Sequence, residues 1–164
     1  MKNILNIIVV GLMVCVVSSA TAANLGAKNK RFGLGVNIGE PLGLNARYYF
    51  IDRLSFDFVT GYGFGEEGYI LQPSLLVNLR RLIDYDGKDW SFVPYFGAGV
   101  KTGVDVGGRN KDRGIFAMRF PIGANFILKK GLLEISAEFA PGAEFKPDTE
   151  FDPTGGIGIR YYFF

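Results

Sequence analysis

From residue 31 to the end, apolar and polar residues alternate in short stretches separated by Gly, Pro, Asn and Asp. The last stretch is the plainest. Ile157, Ile159, Tyr161 and Phe163 fall on one face of a strand, and Gly156, Gly158, Arg160 and Tyr162 on the other. Eight such strands are predicted: Arg31–Ile38, Leu42–Phe50, Leu54–Phe64, Tyr69–Arg80, Trp90–Asp105, Gly114–Leu128, Leu132–Ala143 and 155–164. The third sets Leu54, Phe56, Phe58, Tyr62 and Phe64 against Ser55, Asp57, Gly61 and Gly63. The segments between them (39–41, 51–53, 65–68, 81–89, 106–113, 129–131 and 144–154) read as turns and loops. No amphipathic helix stands out after residue 30.

One face of these strands is apolar throughout and the other mixes glycines with charge. An antiparallel sheet of this kind has two homes. In a membrane barrel the apolar face meets lipid, and in a soluble barrel it lines an interior. Periodicity alone does not separate them. The strand lengths suit a tilted bilayer crossing of ~9–11 residues, and the even count suits a closed single-chain barrel. The expectation is therefore an all-β, eight-stranded antiparallel up-and-down transmembrane β-barrel with a filled polar interior.

The first 23 residues read as a signal peptide: Lys2, an apolar run from Ile4 to Val17, and small residues at Ala20-Thr21-Ala22-Ala23. Residues 24–164 are then the barrel domain. The single cysteine, Cys15, lies in the leader, so the remainder has no thiol for a disulfide or a thiolate metal site. The chain has no histidine, and its formal net charge of +2 gives no electrostatic case for nucleic acid. If both termini face the periplasm, Phe50, Phe56, Trp90, Phe92, Phe126, Tyr161 and Phe163 sit near the inner membrane rim. Tyr62, Phe64, Tyr69 and Phe116 then sit near the outer one, where aromatic rings favour the headgroup level.

On the glycine-bearing face stand Arg47, Asp57, Arg80, Lys101, Asp105, Arg119, Glu134, Glu138 and Arg160. Five are positive and four negative. An eight-stranded interior is filled by side chains, and charges enclosed there must be paired. The expected arrangement is an ion-pair plug in which Arg47, Arg119 and Arg160 bridge to Glu134 and Glu138. Pro73, Pro94, Pro121 and Pro141 fall inside predicted strands, so bulges or strand ends are expected there.

The leader, the eight alternating strands and the ending Gly156-Ile157-Gly158-Ile159-Arg160-Tyr161-Tyr162-Phe163-Phe164 together resemble the small OmpA/OmpX-like outer-membrane β-barrel proteins. The resemblance covers about residues 30–164 and is one of pattern. It implies an outer-membrane location and a bilayer partner. It also implies recognition of the C-terminal strand by the barrel-assembly machinery. The expected role is structural or surface-interacting, through loops that bind an extracellular protein or surface ligand, or in envelope integrity. A monomer without cofactor is expected.

Other chemistry reads weakly. Gly63-Phe64-Gly65-Glu66-Glu67-Gly68 has dinucleotide-fingerprint spacing but precedes a strand, so a glycine-rich turn is the better reading. Glu144, Asp148, Glu150 and Asp152 do not match a calcium loop and read as a solvated acidic loop. No catalytic or metal-binding residue is assigned. Two alternatives stand beside the structural role: a soluble periplasmic barrel binding an apolar ligand, and a lipid-modifying enzyme working without histidine.

Overall fold

The computed structural model describes residues 31–51, 53–65, 67–79, 83–84, 90–105, 114–128, 131–146 and 149–163. The segment expected as a leader, and those expected as a loop at 106–113 and a turn at 129–130, lie outside them. The elements are β1 (Phe32–Glu40), β2 (Leu42–Ile51), β3 (Leu54–Gly63), β4 (Gly68–Asn78), β5 (Ile83–Asp84) and β6 (Trp90–Asp105). They continue with β7 (Gly114–Arg119), β8 (Ile122–Leu128), β9 (Leu133–Ala140), β10 (Gly142–Lys146), β11 (Glu150–Phe151) and β12 (Thr154–Tyr162). Each of β1 to β4 pairs antiparallel with the next in sequence, except that β4 passes on to β6. The long β6 pairs with both β7 and β8, which pair in turn with β10 and β9. β12 then pairs β9 with β1 and closes the ring. The result is a closed antiparallel barrel of eight staves: β1, β2, β3, β4, β6, β7 with β8, β9 with β10, and β11 with β12.

Two staves predicted as single strands are interrupted, and prolines are the reason. Gly97 N–H donates to the Pro121 carbonyl, and Phe120 N–H donates to the Pro141 carbonyl. Neither proline can return the bond. Strand assignment lapses at Phe120-Pro121 and at Pro141, yet the register is unchanged on either side. Gly99↔Arg119 and Phe96↔Ile122 belong to one alignment, as do Gly142↔Arg119 and Ile122↔Phe139. Of the bulges or strand ends expected at the prolines, Pro121 and Pro141 give strand ends, with hydrogen bonding lost locally and no bulge. Pro94 sits past the last residue of β4 and accepts from Leu79 N–H. Pro73 pairs with Phe58 of β3, while the β6 ladder lapses beside it. The predicted loop 144–154 is also partly strand, since β10 runs to Lys146 and Ala143 and Glu144 pair with β11. The turn 81–89 likewise holds the two-residue β5, paired with Ser91 and Phe92.

The register fixes the shape. A row of paired residues leaves Gly33 through Arg47, Asp57, Ser74, Gly99, Arg119 and Gly142 and arrives at Asp152. Across the closing seam Gly33 pairs with Tyr162. The circuit therefore returns ten residues out of step. With ordinary strand spacings that stagger tilts the staves by about 40° and gives a radius of about 8 Å, wide enough for side chains alone.

The two faces of each stave divide as the alternation predicts. On the outer face Val36, Leu44, Phe56, Leu75, Phe96, Met118, Ile122, Phe139, Ile157 and Ile159 are exposed. Along the outward face Thr60 and Thr102 are the polar exceptions, and Glu40, the last residue of β1, brings a charge to outward parity at the strand end, where it accepts from Phe64 N–H. Placing the residues by tilt and register, aromatic side chains fall on two levels. Phe50, Phe92, Phe126, Tyr161 and Phe163 lie at the end holding the termini, where Phe92–Phe126 and Tyr161–Phe163 are in ring contact. Phe64, Tyr69, Phe116, Phe145 and Phe151 lie at the other end, where Phe116 contacts Phe145 and Tyr62 bridges Phe64 and Tyr69. The levels are about 28 Å apart on the same strand spacings. Trp90 and Phe92 are half-buried rather than exposed. Phe145 and Phe151, the latter the most exposed large apolar side chain described, join this level from a segment that reads as loop in the sequence alone.

Candidate functional site: a charged network inside the ring

The inner face is buried and mixed, with Val59, Ile70, Leu76, Val93, Ile115, Ala117 and Ile127 lining it beside polar and charged residues. Arg47, Asp57, Lys101, Arg119, Glu134 and Arg160 are each at most 3 % exposed. They stand on six different staves, so their contacts cross the ring. The clearest case is Arg47 on β2, whose Nη1 donates to Asn125 Oδ1 on β8 at 2.8 Å. β2 and β8 are four staves apart in either direction, on opposite walls.

Glu134 is the hub. Its Oε1 accepts from Arg160 Nη2 at 2.7 Å, from Arg160 Nε at 3.0 Å and from Arg47 Nη1 at 3.2 Å. Its Oε2 accepts from the hydroxyls of Tyr162 at 2.9 Å and Tyr49 at 3.0 Å. Asp57 is the second carboxylate of this cluster, 2.7 Å from Arg47 Nε and 3.5 Å from Arg160 Nη1. Asn45 joins them, donating to Asp57 at 3.3 Å and accepting from Arg160 at 2.5 Å. Two arginines thus face two carboxylates. Their burial is offset by the mutual pairing of opposite charges, although Arg47 Nη2 and Asn125 Nδ2 are buried without a hydrogen-bond partner.

A second group joins four neighbouring staves. Arg119 Nη2 meets Glu138 Oε1 at 2.5 Å, and the Tyr95 hydroxyl donates to Glu138 Oε2 at 2.8 Å. Arg119 also reaches Ser74 at 3.3 Å. The Tyr95 ring lies 4.9 Å below the Arg47 guanidinium carbon, a cation–π contact linking the two groups. A third pair, Lys101 and Asp152 at 2.7 Å, sits nearer the end away from the termini.

Glycines give the tyrosines their room. Tyr162 pairs with Gly33 and Tyr95 with Gly123. A Cβ at Gly33 would stand 2.7 Å from the Tyr162 ring, and one at Gly123 2.6 Å from the Tyr95 ring. Each ring lies on the bare backbone of its cross-strand partner, which lets its hydroxyl reach the carboxylate.

Of the nine charges assigned to this face, seven come together as described: Arg47, Asp57, Lys101, Arg119, Glu134, Glu138 and Arg160. Arg80 and the Asp105 side chain lie outside the described residues. Asp152 corrects the reading of 144–154 as a solvated acidic loop, because it folds inward onto Lys101. With it, four cations face four carboxylates among the described residues. Tyr49, Tyr95, Tyr162, Asn45, Asn125 and Ser74 were not singled out. The signal for the tyrosines was their place on the charged face of the alternation rather than on the apolar one. Among the described residues, no group of three His, Cys, Asp or Glu is placed to hold a metal ion. No family model, curated protein or solved structure matches the chain.

Proposed function

We propose that this chain is an integral outer-membrane β-barrel protein without an open channel, exported by its leader, with a structural or surface-interaction role. The observation that carries the reading is the inversion of polarity: apolar, uncharged side chains outward between two aromatic levels, charges paired inward. An aqueous surface of this composition is unfavourable, since apolar area costs ~25 cal/mol per Å² in contact with water. Hydrocarbon removes that cost. It also calls for a barrel whose backbone bonds close on themselves and whose band is ~25 Å tall between aromatic girdles. The cross-ring ion pairs support a plugged interior, filled with polar side chains, rather than a conduit. The bilayer is then the main partner and the barrel-assembly machinery the partner during insertion. Segment 106–113 and the connection between β10 and β11 are the surfaces for any extracellular ligand, and neither an enzymatic step nor a cofactor is invoked.

Membrane fractionation tests the reading. The protein is expected in the outer-membrane fraction, extracted only by detergent, with gel mobility that changes on heating. Reconstituted in planar bilayers it should give no stable conductance steps. Recovery in the soluble periplasmic fraction would overturn the membrane reading, and well-defined large conductance would overturn the plugged interior.

A further inference from the structure

All four in-strand prolines stand on one half of the ring. Pro73 on β4 lies opposite Val100 of β6, Pro94 is on β6, Pro121 joins β7 to β8, and Pro141 joins β9 to β10. The opposite half, from β12 through β1 and β2 to β3, has none within its strands. Pro121 cannot donate to Gly97, nor Pro141 to Phe120, so two adjoining ladders each lose a bond at neighbouring positions. Inside the ring, these same three staves are tied together by side chains. Glu138 on β9 takes the Arg119 guanidinium from β7 with one oxygen and the Tyr95 hydroxyl from β6 with the other. Its side chain is 14 % exposed, against 1 % for Glu134 and 2 % for Asp57, so it is the network carboxylate that water reaches most readily among these three.

We propose that the β6–β7/β8–β9/β10 panel is a releasable seam, weakened in its backbone by Pro121 and Pro141 and held shut from inside by the Arg119–Glu138–Tyr95 clasp. The panel opens while the β12–β1–β2–β3 half stays closed. When it parts, Glu138 exchanges its protein partners for water, and the two ladders beside it separate without a change of register. The seam goes beyond the membrane reading. It rests on the hydrogen bonding of the ring alone, and holds in whatever medium the barrel folds.

Hydrogen exchange of the full folded chain, followed by mass spectrometry in micelles, tests the proposal. Peptides covering Phe96–Gly99, Ile122–Ala124 and Phe139–Ala143 should exchange at least about tenfold faster than those covering Val36–Ile38 and Ala46–Tyr48. Glu138→Gln should speed exchange in the panel and leave the β1–β2 peptides within about twofold. Pro121→Ala with Pro141→Ala restores two donors and should slow the panel toward the rate of the other half. Equal protection around the wild-type ring would overturn the seam, and this comparison needs no variant to fold. Uniformly faster exchange in Glu138→Gln would overturn the clasp, showing that residue to support the whole barrel alike. Panel exchange unaffected by restoring the two donors would remove the prolines from the argument.

Discussion

Replacing Glu134 by Gln keeps the shape of the hub and deletes its charge. The carboxylate accepts three guanidinium bonds and two tyrosine hydroxyl bonds, all buried. The introduced carboxamide can turn its oxygen to the arginines and its nitrogen to the hydroxyls, which rotate to accept. What is lost is charge assistance on the arginine side. Each bond to a charged group is worth ~1.5–3 kcal/mol and each neutral one ~1, so three such exchanges cost roughly 2–6 kcal/mol. A second estimate comes from the charge itself. Arg47 and Arg160 would be left with Asp57 alone, and breaking a buried pair typically costs ~3–5 kcal/mol. The expected loss is therefore about 4 kcal/mol. Urea unfolding in liposomes reads it, followed by emission of the single tryptophan, Trp90, and by heat-modified gel mobility. A cycle with Arg47→Met sharpens the test. The double variant should lose clearly less than the two single losses added, because each single change strands the other's charge. A Glu134→Gln protein within ~0.5 kcal/mol of the original, the scale of an ordinary surface change, would refute the hub.

Further outcomes follow from the same geometry. Val36→Arg, near mid-height on the outer face, should destabilise the protein in liposomes by ~2–4 kcal/mol, whereas Val104→Arg, paired with Tyr69 at the aromatic level away from the termini, should cost ~0–1; equal, negligible costs would speak for a solvated surface. Asp152→Asn should cost less than Asp57→Asn in the same unfolding assay, because Asp152 is partly exposed and holds one lysine while Asp57 is enclosed by two arginines. Gly123→Ala should displace the Tyr95 ring and weaken its bond to Glu138, read as a change in tyrosine absorbance at unchanged strand content; an unaltered spectrum would count against the glycine–tyrosine fit. Trp90, beyond the inner aromatic level, should be quenched more by lipids brominated near the headgroup than near the chain end, and the reverse order would misplace that level.

The alternation carried most of the architecture because a strand's faces are set by parity, and parity survives errors in strand ends. Arg160 and Glu134 could be placed on one face from sequence for that reason. Who would meet whom was legible only in part. Arg47 meets Asn125 because eight-stave closure sets β2 opposite β8 and a stagger of ten brings these two residues to one level, and no local pattern encodes either. Asp152 was lost because Pro147 and Pro153 with neighbouring acids imitate a loop, whereas Lys101 across the ring draws the residue inward. The prolines were legible as strand ends or bulges, without a choice between them. A missing N–H announces an interrupted ladder but not whether an extra residue is inserted, and at Pro121 and Pro141 none is.

The stagger of ten is an even number, and this limits how such a wall can change over time. Losing or gaining one residue midway along a stave would turn everything beyond that point inside out, sending an arginine to the apolar outer face and a phenylalanine into the salt bridges. Lineages descended from this chain can therefore lengthen or trim its hairpins freely, but along the staves only swaps of like for like, or insertions in pairs, keep each residue on its own side.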